Sequence, residues 1–317
     1  MSIFEIAGVQ INRGERKRID LPVAMLPAQT MISMPIIVIR GKKDGPRLWI
    51  SSAVHGDEIN GVEIIRRTLE HVNKNTLVGT LIAVPVVNVF GFTQQSRYLP
   101  DRRDLNRSFP GSKSGSLAAR MAHLFLKEIV EKSTHGVDIH TGAIHRSNYL
   151  HIRCDSGSDS SLELASAFKP GVILARKSGK GTLRESATKM GIPNILIELG
   201  EALRFNENYI EECTFGLFRI MSHLGMLVNA PSCSTMETLV TSESVWVRAK
   251  RGGLFQSIVE LGSRVERKKV LGSINDVQGV HHSAIVSPHE GIVIGLNKNP
   301  IVYQGEALIH IAVKKTS

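Results

Sequence analysis

The chain has 317 residues, 42% hydrophobic and 21% charged, an ordinary globular composition on a length that suggests two domains at roughly 100–200 residues each. Lys and Arg outnumber Asp and Glu by 39 to 29, and a net charge of +10 favours anionic partners. Aromatics are only 5% and the basic residues are spread along the chain, apart from short clusters at Arg13–Arg18 and Arg97–Arg107, which argues against nucleic acid. Three cysteines with no CxxC pair argue against a disulfide framework or a four-cysteine metal site. There is no signal-like apolar run and no stretch near the ~20 apolar residues of a membrane span, so a cytoplasmic protein with no membrane association is expected.

Residues 1–33 read as a β-rich leader packed on the body. MPIIVIRG (34–41), RLWISSAV (47–54) and GTLIAVPVVN (79–88) are rich in Ile and Val and apolar on both faces, as buried strands require. GVDIHTG (136–142), NYLHIRC (148–154), GVILARK (171–177) and PNILIELG (193–200) continue the series. Between them, 61–72 and 116–130 space their apolar residues along one helical face, and 207–226 predicts a third, long helix. Strands alternating with helices over 34–232 imply an α/β domain with a mainly parallel or mixed sheet. APSCSTME (230–237) is small, polar and proline-containing and suits a linker. Beyond it, 238–317 holds short Val/Ile strands separated by glycine turns, which predicts a small all-β barrel or sandwich.

Four segments carry chemistry. In SSAVHGDEING (51–61), His55 and Glu58 are brought together either by one helical turn or by a tight turn after the strand. They sit where a strand ends, the place where open α/β sheets bind ligands, and they are two of the ligand types a catalytic zinc takes. Taken alone, they also read as a surface turn. In GVDIHTG, Asp138 and His140 leave the strand on the same face. His140 would complete a His–Glu–His set, and Asp138 would orient a ligand; alone, His140 reads as a core histidine. Glu198 lies among Ile195, Leu196, Ile197 and Leu199, where a carboxylate is costly unless something uses or neutralises it. This suits a general acid or base; Glu201 is the weaker candidate. Finally, Arg97, Arg102, Arg103 and Arg107 crowd one loop with Asn106. Guanidinium forks grip carboxylates, although the loop alone reads as solvated basic surface.

The motifs H-G-D-E (55–58), R-D-L-N-R-S-F-P-G (103–111), D-I-H-T-G (138–142) and I-E-L-G (197–200), in that order, resemble the succinylglutamate desuccinylase/aspartoacylase family, a branch of the zinc carboxypeptidase-like hydrolases. Asp57 stands where the family's first motif has Asn, a position that is not a ligand. The resemblance implies a three-layer α/β/α zinc-carboxypeptidase-like domain with a mixed sheet, and one Zn2+ per chain on His55, Glu58 and His140. It implies Glu198 as the catalytic carboxylate and Asn106 with Arg107 as the substrate-binding pair. The upstream arginine that polarises the scissile carbonyl matches Arg97, with Arg102 or Arg103 as alternatives. The stretch 238–317 resembles a biotinyl/lipoyl-type β fold, but VHHSAIVSP (280–288) lacks the lysine that carries the group, so no modification is expected. His281 and His282 read as exposed loop histidines.

The implied activity is zinc-dependent hydrolysis of the amide bond of a small N-acyl amino acid or related acidic amide. Glu198 would take the proton of the attacking water and pass it to the leaving amine. A metallocarboxypeptidase acting on short peptides is the alternative, and a non-catalytic metal- or partner-binding protein a second. The expected partner is a small acidic N-acylated substrate; self-association into a homo-oligomer is left open.

Overall fold

Strands open the chain. In this computed structural model, which describes residues 4–229 and 237–314, β1 (Phe4–Ile6) and β2 (Val9–Ile11) form a hairpin, followed by β3 (Arg16–Met25) and β4 (Met31–Arg40). Strands and helices then alternate: β5 (Lys43–Ser52), α1 (Asn60–His71), β6 (Val78–Val84), α2 (Val89–Thr93), α3 (Leu117–Phe125), β7 (His135–Gly142), β8 (Arg146–Cys154), α4 (Asp159–Phe168), β9 (Val172–Ala175), α5 (Leu183–Lys189), β10 (Asn194–Glu201) and α6 (Glu207–His223). The helix predicted over 116–130 is α3 continued by one π-helical turn, Leu126–Val130. The linker predicted at 230–237 lies outside the described residues except for Glu237.

The remainder is strands: β11 (Leu239–Thr241), β12 (Ser244–Arg248), β13 (Gly253–Ser257), β14 (Arg264–Val265), β15 (Val270–Asn275), β16 (His282–Val286), β17 (Gly291–Asn297), β18 (Ile301–Val302) and β19 (Ala307–Val313). No helix among the described residues is long and apolar enough to cross a membrane.

A large mixed sheet carries the order β12-β19-β17-β8-β10-β7-β5-β6-β4-β3. Its centre is parallel, β10 with β7, β7 with β5, and β5 with β6; most of its flanks are antiparallel. Successive residues of the central strands feed different cores, as a period of two dictates. Leu48, Ile50, Leu81 and Ala83 pack with α1, α4 and α6, whereas Trp49, Ile82 and Val84 pack with α3 and α5. This mixed α/β sheet and the strand-rich C-terminal region agree with the class read from the sequence.

Strand β8 divides its outer edge between two partners. Its end, Ile152–Cys154, pairs with Ile173–Ala175 of β9, and its start, Arg146–Asn148, with Gly295–Asn297 of β17. The C-terminal strands therefore hydrogen-bond into the main sheet through β8, the neighbour of the strand that carries Glu198.

Candidate active site

Strand β5 stops at Ser52, two residues short of the predicted strand, because Ala53 takes a left-handed backbone at φ +48°. The chain then turns, Glu58 N–H donating to the His55 carbonyl at 3.1 Å, and α1 begins only at Asn60. A tight turn, not a helical turn, thus joins His55 to Glu58. A Cβ at Gly56 would lie 1.9 Å from the carbonyl carbon of Gly91, so the turn sits directly on the backbone of α2.

Strand β7 runs parallel beside β5, with Ser52 opposite Ile139. This register delivers His140 one residue further on, two residues before β7 ends at Gly142. His55 Nδ1 lies 2.8 Å from Glu58 Oε1, and His140 Nδ1 lies 2.8 Å from Glu58 Oε2. One ligand atom from each of the three residues falls within 4.8 Å of the others, and all three side chains are buried. On the next strand, Glu198 stands directly opposite His140.

The donor chemistry fits a divalent cation. His140 Nε2 lies 2.7 Å from Asp138 Oδ2, which also accepts the Ser51 hydroxyl through Oδ1 at 2.8 Å. His55 Nε2 lies 3.1 Å from Asp104 Oδ1. Both nitrogens of each ring thus face carboxylates, which only accept; a cation taking the place of the two Nδ1 hydrogens would leave each Nε2–H on its outer carboxylate, the usual arrangement for a metal-bound histidine. Burial opposes charge on both imidazoles. Glu58 and Asp104 together outweigh it at His55, and Asp138 with Glu58 outweighs it at His140, so both pKa values are raised. Burial likewise opposes the Glu58 carboxylate, but the two imidazoles hold its pKa far below the usual range. A field that favours protons on these histidines equally favours a cation among them. Asp57 is buried too, and its burial, reinforced by the Glu58 charge, raises its pKa toward the neutral form.

Of the three arginines considered for the carbonyl, Arg97 reaches this cluster. Its Nη1 donates to Glu58 Oε1 at 3.2 Å and its Nη2 to Asp104 Oδ2 at 3.0 Å. Arg102 and Arg103 are exposed, and neither lines the cavity. Asn106 is buried, and its Oδ1 accepts from the Leu183 amide at 3.0 Å, which turns the Nδ2 donors the other way. Asn106 and Arg107 line the same cavity as the cluster and Glu198. His281 and His282 are exposed and belong to a separate hairpin.

The cavity measures about 940 Å³. Besides Arg97 and Arg107 it is lined by Arg146, Arg153, Arg176, Lys177, Lys180 and Arg184, against only two carboxylates, Glu58 and Glu198. Ser244, Trp246 and His310 of the C-terminal strands close one side. Trp246 stacks on His310 with centroids 4.4 Å apart and planes 8° apart, and the Arg146 guanidinium lies 5.4 Å from the Trp246 ring centre. Sequence reading overlooked Asp104, Asn148, Arg153, Arg184, Trp246 and His310. Asp104 lies inside a quoted motif, and the polar 151 and 153 at a spacing of two mark one face of β8. Nothing local in the sequence relates Trp246 or His310 to the site.

Residues 44–224 match the succinylglutamate desuccinylase/aspartoacylase catalytic domain. The match covers more than half of the chain, and the protein belongs to this family of deacylase hydrolases. A curated relative is the N-alpha-acetyl-L-2,4-diaminobutyric acid deacetylase of Halomonas elongata, 24% identical over 294 residues, which span 89% of this chain and 86% of that protein. The crystal structure of succinylglutamate desuccinylase/aspartoacylase from Rhodobacter sphaeroides superposes with a TM-score of 0.86 at 23% identity, covering 98% of this chain and 99% of that one. The product-bound ectoine utilization protein EutE (DoeB) from Ruegeria pomeroyi superposes at 0.84 and 22% identity, covering 95% of each chain. At these identities the two structures establish a shared fold.

Proposed function

We propose that the protein is a zinc-dependent deacylase that hydrolyses the amide bond of a small acidic N-acyl amino acid. The observation that carries this reading is the convergence of His55, Glu58 and His140 beside Glu198 in one cavity. We read the body as the three-layer zinc-carboxypeptidase-like fold, and 238–317 as an unmodified biotinyl/lipoyl-like unit.

His55, Glu58 and His140 would hold the metal, one per chain. A divalent zinc held there supplies a Lewis acid for the carbonyl and lowers the pKa of water. Glu198 takes the proton of the water whose oxygen bonds to the amide carbon. As the C–N bond breaks, Glu198 returns that proton to the leaving nitrogen, releasing a carboxylic acid and an amine. Arg97, held beside Glu58, donates to the carbonyl oxygen as negative charge develops on it. Asn106 Nδ2 and the Arg107 guanidinium grip a substrate carboxylate. The excess of arginine and lysine over carboxylate in the cavity supports an acidic substrate, because a cationic group on the substrate would meet like charge. The diaminobutyrate derivative named for the curated relative carries such a group once its free amine is protonated.

A second reading rests on the cavity's size. About 940 Å³ is near the upper end of small-molecule sites and would admit a short peptide. One screen separates the readings: zinc-loaded protein is offered N-acetyl-L-aspartate, N-acetyl-L-glutamate, N-succinyl amino acids, N-acetyl-L-2,4-diaminobutyrate and short peptides, with amine release measured. Turnover strongest on the acidic N-acyl amino acids is expected. Preference for peptides would select the carboxypeptidase, and no turnover of any compound would select a non-catalytic metal- or partner-binding protein.

A further inference from the structure

Strand β8 runs antiparallel beside β10, with His151 opposite Glu198 and Arg153 opposite Leu196. A chain of polar contacts crosses this pair. Glu198 Oε2 accepts from Asn148 Nδ2 at 2.8 Å. Glu198 Oε1 lies 3.5 Å from Arg153 Nη2. Arg153 Nε donates to His151 Nε2 at 3.3 Å, and His151 Nδ1 lies 2.8 Å from the Tyr149 carbonyl oxygen.

These partners determine the protonation of His151. A guanidinium has no acceptor, so Nε2 must accept; a carbonyl has no donor, so Nδ1 must carry the hydrogen. His151 is therefore the neutral Nδ1–H tautomer. It is fully buried; that burial, then the Arg153 charge and His310 beside it, hold its pKa well below the ordinary histidine value. Asn148 is confined as well. Gly295 of β17 pairs opposite it, and a Cβ there would lie 3.2 Å from Asn148 Oδ1.

We propose that Asn148, His151 and Arg153 are positioning residues that hold the Glu198 carboxylate for proton transfer, with His151 serving as the fixed acceptor that aims the Arg153 guanidinium. The inference rests on the reading of Glu198 as the proton carrier. A carboxylate must present one lone pair to the water and later its proton to the amine, and misplacement of a reacting group by about 1 Å costs on the order of a hundredfold. Asn148 restrains one oxygen and Arg153 sits beside the other, so the plane of the carboxylate is set before substrate arrives.

The test has a spectroscopic and a kinetic arm. Nitrogen-15 histidine spectra of the full-length zinc-loaded protein should show His151 as neutral Nδ1–H from pH 5.5 to 8. An Nε2–H or doubly protonated ring would overturn the network without reference to any substrate. In kinetics on the N-acyl amino acid hydrolysed fastest in the screen, Asn148→Ala and His151→Leu should each lower kcat about tenfold or more while KM stays within about twofold. His151→Gln, whose side-chain carbonyl can still accept from Arg153, should recover most of that loss. Unchanged kcat, or a loss confined to KM, would show that these side chains bind substrate or merely pack. Glu198→Gln is measured alongside. If it keeps full turnover, the assignment of Glu198 fails and the network with it; if it is inactive while His151→Leu is normal, the network alone fails.

Discussion

At the scale of single residues, the cluster depends on carboxylates that touch no substrate. Asp138 stands between Ser51 and His140, accepting from the Ser51 hydroxyl and lying 2.7 Å from His140 Nε2. It accepts the Nε2 hydrogen and limits rotation of the ring, which keeps Nδ1 facing Glu58. Removing such a partner typically weakens metal binding 10–100-fold. Asp138→Ala should do so here, read by competition with a chelator of known affinity, whereas His140→Ala should lose bound zinc altogether in elemental analysis. Equal zinc affinity in Asp138→Ala and the parent would show that Asp138 does not orient the ligand. Asp104 plays the matching part at His55 and also binds Arg97. One acid thereby couples His55 to Arg97.

At the scale of elements, the unit that matters is β5, its turn and α1. The strand places His55 at the sheet's carboxyl edge, and the turn folds Glu58 back over it. The closeness of Gly56 to Gly91 sets how far this turn can move. Both atoms in that approach belong to backbone, so a methyl group at 56 has no flexible side chain to displace. Gly56→Ala should therefore cost about 1–3 kcal/mol, the range of overpacking, and should lower zinc content as the turn lifts. The urea midpoint and elemental analysis check both; a variant with parental values for each would mean that α2 yields without disturbing the turn. The parallel pairing of β5 with β7 and β7 with β10 supplies the rest of the constellation. Its registers put His140 and Glu198 at adjacent places on neighbouring strands.

At the scale of the whole molecule, the C-terminal strands wall the cavity because β17 joins the edge of β8. The stack of Trp246 on His310 belongs to that wall. Burial, then the charges of Arg153 and Arg176, push the His310 pKa down to about 3, and His151 is depressed from the same side of the sheet. The unfolded chain takes up protons at these histidines near pH 6.5, while the folded chain does not. The stability they contribute is complete above that pH and is lost as pH falls below it, by up to about 1.4 kcal/mol per pH unit for each histidine. His310→Gln should flatten this loss. Urea midpoints compared between pH 5 and 7 decide the matter, and parallel slopes for variant and parent would contradict it.

The alternation of strands and helices was legible in the chain because it depends on local periodicity, and the His–Glu–His set because its members sit in short motifs near strand ends; Glu198, Asn106 and Arg107 line the same cavity, and the roles the resemblance implies for them stay part of the proposal. The elements stop within a few residues of where those patterns end; β5 halts at Ser52 because Ala53 leaves the extended region. The choice of Arg97 over Arg102 and Arg103 rested on the resemblance alone, since one loop carries all three and only its folded path decides which guanidinium turns inward. Nor could the sequence announce that β8 shares its edge between β9 and β17, which brings Trp246 and His310 to the cavity. A strand's pattern of polar and apolar residues states which face is buried. It does not name the partner, because pairing is settled by backbone hydrogen bonds between segments far apart in the chain.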